Sequence, residues 1–216
     1  MSQPILYDNH GRPLTYLRLA VTDRCNLRCF YCMPESGIKF LPRNEVLSYE
    51  EMLRLSRILV EMGITKIRIT GGEPLMNPGS MQFLDLLEKE PAPNLRISLN
   101  SNLGVSTNKI DKFYDRVESL LENKKIKKFS LFTSIDTWGP QAEYMRTGMN
   151  LVHWERNLKE ALRRGFQVSL MCTFNVLCVT NFKSLLHKVI EWREEFGHHA
   201  IGFDTPYLKE PPHWMI

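Results

Sequence analysis

No stretch of this 216-residue chain approaches the roughly 18 consecutive apolar residues of a membrane span, so no membrane partner is expected. The N-terminus, MSQPILYDNHGRPLTY, lacks the basic-then-apolar plan of a secretory signal, which predicts a cytoplasmic protein. Internal repeats, low-complexity tracts and Gly/Pro/Ser-rich linkers are also missing. A single domain over 1–216, with a short N-terminal extension at about 1–15, is the corresponding expectation. A basic face with interleaved aromatics is absent, so the net charge of +4 does not argue for nucleic acid. The densest basic run, KKIKK at Lys124–Lys128, reads as a solvated loop before a strand.

Cysteine is scarce too, at five residues, an odd number without the even spacing of a disulfide framework. Three of the five nevertheless crowd into TDRCNLRCFYCMPE, as Cys25, Cys29 and Cys32. Their C-x3-C-x2-C spacing puts three thiolates on one short loop. Such a loop can ligate three irons of a [4Fe–4S] cubane and leave the fourth iron open. An open metal position is what a catalytic site requires. Structural zinc is the competing reading, and it needs a fourth ligand; His10, Cys172 and Cys178 are the candidates, at no familiar spacing. Cys172 and Cys178 otherwise read as small buried hydrophobes.

Short apolar runs at 16–22, 66–70, 95–99, 129–135, 167–174 and 200–203 read as buried parallel strands. Helical patterns separate them. The first opens at Ser48, with Glu51 completing a capping box, places Met52, Leu55, Leu59 and Met62 on one face, and stops at Gly63. Others fit 80–89, 108–123, 152–164 and 181–196. The α/β alternation predicts right-handed crossovers and helices outside a parallel sheet. Six strands fall short of a closed eight-stranded barrel, so the expected fold is a partial, open (β/α)6 barrel with ligands at the strand C-terminal ends.

Pointed residues stand at those ends. After the second strand, GGEP offers Gly71 and Gly72 for close backbone approach, Glu73 as an acceptor suited to an ammonium group, and Pro74 to stiffen the exit. Ser101 and Asn102 end the third strand, as ligand contacts or turn caps. Asp136, after the fourth, reads as a turn or cap residue. Asn175 and Asp204 follow the fifth and sixth, and Trp138 reads as core or rim.

The cysteine loop, with Tyr31 before the last cysteine, resembles the signature of the radical S-adenosylmethionine (SAM) superfamily. That resemblance implies a SAM cofactor chelated to the open iron. It also implies reductive cleavage to methionine and a 5′-deoxyadenosyl radical that takes hydrogen from substrate, and the radical SAM form of the partial barrel. An external electron donor such as flavodoxin or ferredoxin would supply the electron, and the substrate would be a small molecule or a peptide. Tyr31 resembles a SAM contact, GGEP the SAM amino-group site, and Ser134 a contact to ribose or carboxylate. Arg146, in YMRTG, is placed to grip the SAM carboxylate bidentately.

Residues of about 5–76 resemble the GTP cyclase family of molybdenum-cofactor synthesis, through DNHGRPLTYLRLAVTDRCNLRCFYCMPE and GITKIRITGGEPL. Carried over, Arg18 and Arg68 resemble substrate contacts, with Lys66 adding charge for a triphosphate. From about residue 80, FTSIDTWGPQAEYMRTG, MCTFNVL and FDTPYLKEPPHW resemble twitch-type radical SAM proteins instead. The cyclase's later basic positions are replaced by uncharged QVSLMCT, Phe203 stands where that family has a SAM-contacting Met, and no second cysteine triplet follows. The expectation is a radical SAM enzyme of unidentified substrate that does not by itself cyclise GTP. A GTP cyclase or a fragment of one is the alternative, and a non-catalytic iron–sulfur or zinc module the third reading.

Overall fold

A computed structural model describes residues 5–33, 36–42 and 45–206. Parts of the expected FDTPYLKEPPHW motif, from residue 207 on, lie outside them. The chain clusters into two compact units interleaved in sequence. The first comprises 1–24, 40–100 and 111–129, and the second 25–39, 101–110 and 130–216.

In the first unit, strands β1 (Tyr16–Ala20) and β3 (Lys66–Thr70) pair in parallel, and β3 pairs in parallel with β4 (Ala92–Ser101). Leu19, Ile67, Ile69, Ile97 and Leu99 are buried on one face of these strands. Helix α1 (Tyr49–Glu61) begins at the expected capping box: the Ser48 hydroxyl accepts from Glu51 N, and Glu51 Oε2 accepts from Ser48 N at 2.7 Å. Gly63 follows its C-cap with φ 100°. Its inward stripe differs from expectation. Met52 and Ser56 are buried while Leu55 stays 39% exposed. Positions four apart share a face, and Ser56 tolerates burial because its hydroxyl donates to the Met52 carbonyl at 2.8 Å. Helix α2 (Gly79–Lys89) follows β3, and α3 (Thr107–Glu122) follows β4. Strand β5 (Ile126–Ser134) takes in Lys127 and Lys128, so the basic run is part strand; Lys125 pairs with Glu88 on α2.

In the second unit β5, β7 (Gln167–Met171) and β8 (Ile201–Asp204) pair in parallel in that order. Helices α5 (Leu151–Arg163) and α6 (Val179–Phe196) alternate with them. Elements beyond the expected set appear as well. Two-residue strands β2 (Arg28–Cys29) and β6 (Arg146–Thr147) pair antiparallel, and a short helix α4 (Pro140–Met145) runs into β6. Two residues carry no periodicity, so β2 and β6 are invisible to pattern reading. Trp154 and Trp192 are buried with rings 6.0 Å apart, and Trp138 packs edge-on to Trp192.

The N-terminal stretch forms a small hairpin closed by a Tyr7–Pro13 bridge, in which Asp8 accepts from the His10 and Arg12 amides. Among the described residues, no helix is long and apolar enough to cross a membrane.

Asn157 on α5 is fully buried and donates to the Leu103 carbonyl at 2.9 Å and to that of Val105 at 3.4 Å, which fixes the turn after β4. Replacing Asn157 by Leu strips both carbonyls of this donor. The expected cost is about 1–3 kcal/mol, read as a lower urea midpoint with an unchanged slope.

Candidate functional site

The cysteine loop belongs to the second unit, and it is held at its middle. Cys29 stands in register with Arg146 across the β2–β6 pair. The amides of Cys32 and Met33 turn back to the Cys29 carbonyl at 2.9 and 2.8 Å. Donors face two of the three sulfurs. Leu27 N and Asn102 Nδ2 each approach Cys25 Sγ at 3.4 Å, and Arg146 Nη1 approaches Cys29 Sγ at 3.7 Å. Cys25 is half-buried, Cys29 buried and Cys32 exposed. Burial pushes the Cys29 thiol up to about 11, against the pull of the Arg146 guanidinium, so a metal ligating it must displace its proton. Among the described residues, no three His, Cys, Asp or Glu side chains are grouped to hold one metal ion. A cubane does not need such a grouping, because each thiolate takes its own iron.

Behind the loop lies a buried charged cluster. Among the described residues the Asp136 carboxylate, 1% exposed, accepts four hydrogen bonds. They come from Arg146 Nε and Nη2, both at 2.8 Å, from the Tyr31 hydroxyl at 2.7 Å and from the Thr173 amide at 2.9 Å. This arrangement gives three of the residues marked in the sequence partners within the protein. Asp136 is the hub of the site, where a turn residue was expected. Arg146 turns its bidentate edge to Asp136, where a ligand carboxylate was expected. Tyr31 gives its hydroxyl to Asp136, and its ring lies 5.6 Å from the Arg146 guanidinium carbon. Burial works against the Arg146 charge, yet the adjacent Asp136 holds its pKa well above the usual value. Burial, with Asp136 beside it, pushes the Tyr31 phenol up.

GGEP lies in the first unit, and its glycines face the chain itself. A Cβ on Gly71 would meet the Thr22 carbonyl oxygen at 2.2 Å, and one on Gly72 the Arg24 carbonyl oxygen at 2.1 Å. The Gly72 and Glu73 amides donate to those same two carbonyls at 2.8 Å. The glycines therefore have a structural cause of their own, beside the expected approach of a ligand. They press the GGEP turn against the residues that directly precede Cys25. Glu73 is fully buried, and its Oε1 accepts from Leu75 N at 3.0 Å, capping the turn at Pro74–Met76.

Ser101 and Asn102 both cap the turn after β4: Ser101 Oγ accepts from Leu103 N, and Asn102 Oδ1 from Gly104 N. Asn102 also donates to Asn26 Oδ1 at 2.9 Å, which ties this turn to the cysteine loop. Ser134, at the end of β5, is half-buried and in register with Met171. Cys172 and Cys178 are buried; Cys172 Sγ donates to the Asp136 carbonyl at 3.1 Å. Hydrogen bonding between the two thiols, with burial, raises the Cys172 pKa, and the same bond lowers that of Cys178. Asn175 caps the turn at Val176–Cys178, while Asp204 is exposed. Phe203 joins an aromatic stack with Phe182 and Phe174.

On β1, β3 and β4, parallel register sets Arg18 beside Arg68 and Lys66 beside both Tyr16 and Arg96. Paired residues share a face of the sheet, so four cations stand together. Lys66 Nζ and Arg68 Cζ lie 4.9 and 5.7 Å from the Tyr16 ring centre. Burial, Arg68 and Arg96 lower the Lys66 pKa. Arg96 went unnoticed in the sequence, although its alternation with Leu95 and Ile97 marks it. Asp136 carried no comparable signal, since its partners lie 10, 37 and 105 residues away.

Comparison with known proteins bears on the family and the fold. A GTP 3',8-cyclase of Thermodesulfovibrio yellowstonii is 51% identical over 102 residues, 47% of this chain and 30% of that protein. A GTP 3',8-cyclase of Peptoclostridium acidaminophilum is 39% identical over 165 residues, 76% of this chain and 47% of that protein. The chain thus spans less than half the length of either relative. Among solved structures, Streptococcus suis SuiB bound to S-adenosylmethionine matches with a TM-score of 0.63 at 15% identity, over 93% of this chain and 42% of SuiB. This likeness supports the fold, a partial (β/α) barrel of the radical SAM type. The model of the Radical SAM superfamily matches residues 19–184, more than half of the sequence, and the chain belongs to that superfamily.

Proposed function

We propose that Cys25, Cys29 and Cys32 hold a [4Fe–4S] cluster and that the chain is the catalytic core of an enzyme using SAM. The carrying observation is the donor set: three thiols on one anchored loop, with N–H groups facing the sulfurs of Cys25 and Cys29. Thiolates bound to iron keep negative charge, and such donors stabilise it. When bound, cluster and SAM together supply a carbon-centred radical that abstracts hydrogen, using an electron from an external carrier such as flavodoxin or ferredoxin.

The chain's own residues orient that pair. Asn102 and Leu27 N support Cys25, and the β2–β6 ladder fixes Cys29. Glu73 is the acceptor for the SAM ammonium, in a turn whose shape Gly71 and Gly72 make possible. Ser101, Asn102, Ser134 and Tyr31 complete the cofactor contacts in this reading, and Arg146 faces the Cys29 sulfur through its third nitrogen.

A second reading concerns the substrate. Arg18, Lys66, Arg68 and Arg96 on one sheet face suit a polyphosphate, and relatives named GTP 3',8-cyclase point the same way. Against it, β7 carries QVSLM without a charge. Radical chemistry needs the reacting carbon in register, and attraction alone does not provide that. We therefore favour a substrate other than GTP, small molecule or peptide.

Two outcomes test these readings. Glu73→Gln keeps a cap acceptor for Leu75 N and removes the charge. SAM affinity should fall by about 1.5–3 kcal/mol in calorimetry while the melting temperature holds; unchanged affinity would make GGEP a structural turn only. Incubating loaded protein with GTP, SAM and reductant should give 5′-deoxyadenosine without cyclised nucleotide. Multiple turnovers to the cyclised nucleotide would establish the second reading instead.

A further inference from the structure

Arg146 has three guanidinium nitrogens, and their partners differ. Nε and Nη2 bind Asp136, both at 2.8 Å, while Nη1 lies 3.7 Å from Cys29 Sγ. The planar fork cannot turn one nitrogen without moving the other two, so the Asp136 grip aims Nη1. Backbone pairing of Cys29 with Arg146 holds the two residues at the same level. Tyr31 and the Thr173 amide hold Asp136 in turn, from two other segments. Both members of the ion pair are buried, at 7% and 1% side-chain exposure. Their charges largely cancel at a distance, which leaves the directed N–H as the pair's main effect on the sulfur.

We propose that Asp136 is a positioning residue of the iron–sulfur site, fixing Arg146 so that Nη1 donates to the Cys29 sulfur and makes the bound cluster easier to reduce. The proposal rests on the reading of Cys29 as a cluster ligand. Donors to a ligating sulfur raise a cluster's reduction potential, because they offset the charge gained on reduction. A plain charge effect has the opposite sign at Asp136. Neutralising a nearby carboxylate would raise the potential, whereas releasing Arg146 lowers it.

The test uses the full chain, loaded anaerobically with iron and sulfide, as parent, Asp136→Asn, Arg146→Lys and the double variant. Midpoint potentials come from titration followed by electron paramagnetic resonance, and melting of the apo-proteins reports the purely structural part. Each single variant should make reduction at least tenfold less favourable, about 59 mV for a one-electron couple. The double variant should fall no further than the larger single, since the two residues act as one unit. A raised potential in Asp136→Asn, or additive shifts, overturns the proposal. Should Asp136→Asn not fold, Arg146→Lys decides alone, because it keeps the buried charge and loses the fork; an unchanged potential then refutes it. A parent that takes up no cluster overturns both this and the cofactor reading, while a loaded parent with unshifted variants overturns only this one.

Discussion

A carboxylate removed from water must be compensated where it stands, and in the second unit that carboxylate is Asp136. An isolated buried charge costs several kcal/mol or more. Asp136 meets the demand with a guanidinium, a phenol and a backbone amide, which between them reach the YMRTG segment, the cysteine loop and the end of β7. Among its described residues the cysteine loop has one strand, two residues long. Tyr31 on this loop and Arg146, the residue in register with Cys29, both bond Asp136. Removing one partner from such a pair is far more damaging than exchanging both, because the survivor stays buried and charged.

The first unit solves a different problem, which is steric. The GGEP turn comes so close to the backbone at Thr22 and Arg24 that any side chain at Gly71 or Gly72 would collide with a carbonyl. Two amide hydrogen bonds use the space so gained. Glu73 is then buried with its carboxylate beside the turn it caps. Glycine here serves the protein's own packing, and it leaves Glu73 fixed in orientation, as the proposed SAM-ammonium role requires. Preorganised groups of this kind lose little on binding.

The parts legible in the sequence were those with a period or a local spacing. Six strands and five helices announced themselves through alternation and helical repeat, and the three cysteines through C-x3-C-x2-C. Ser48 and Glu51 were readable because a capping box is complete within four residues. Long-range pairing was not readable. Nothing near Asp136 names Tyr31 as its partner, and nothing near Arg146 says that its fork faces inward. The Leu55 expectation failed for a related reason: which stripe of a helix turns inward is settled by its neighbours, and here Ser56 took the place. Arg96 was overlooked because its meaning comes from β3, where Lys66 and Arg68 lie in register beside it and Ser98.

On the proposed reading, three cysteines on this anchored loop carry a cubane cluster that serves SAM chemistry. The most direct test is iron and sulfide analysis after anaerobic reconstitution, with a 5′-deoxyadenosine assay on the same sample. About four irons and four sulfides per chain are expected, as a cubane requires, with 5′-deoxyadenosine once reductant and SAM are added. Iron should be lost on replacing Cys25, Cys29 or Cys32 by Ala and retained on replacing Cys172. Stoichiometric zinc without sulfide, or full iron content after Cys29→Ala, would contradict it.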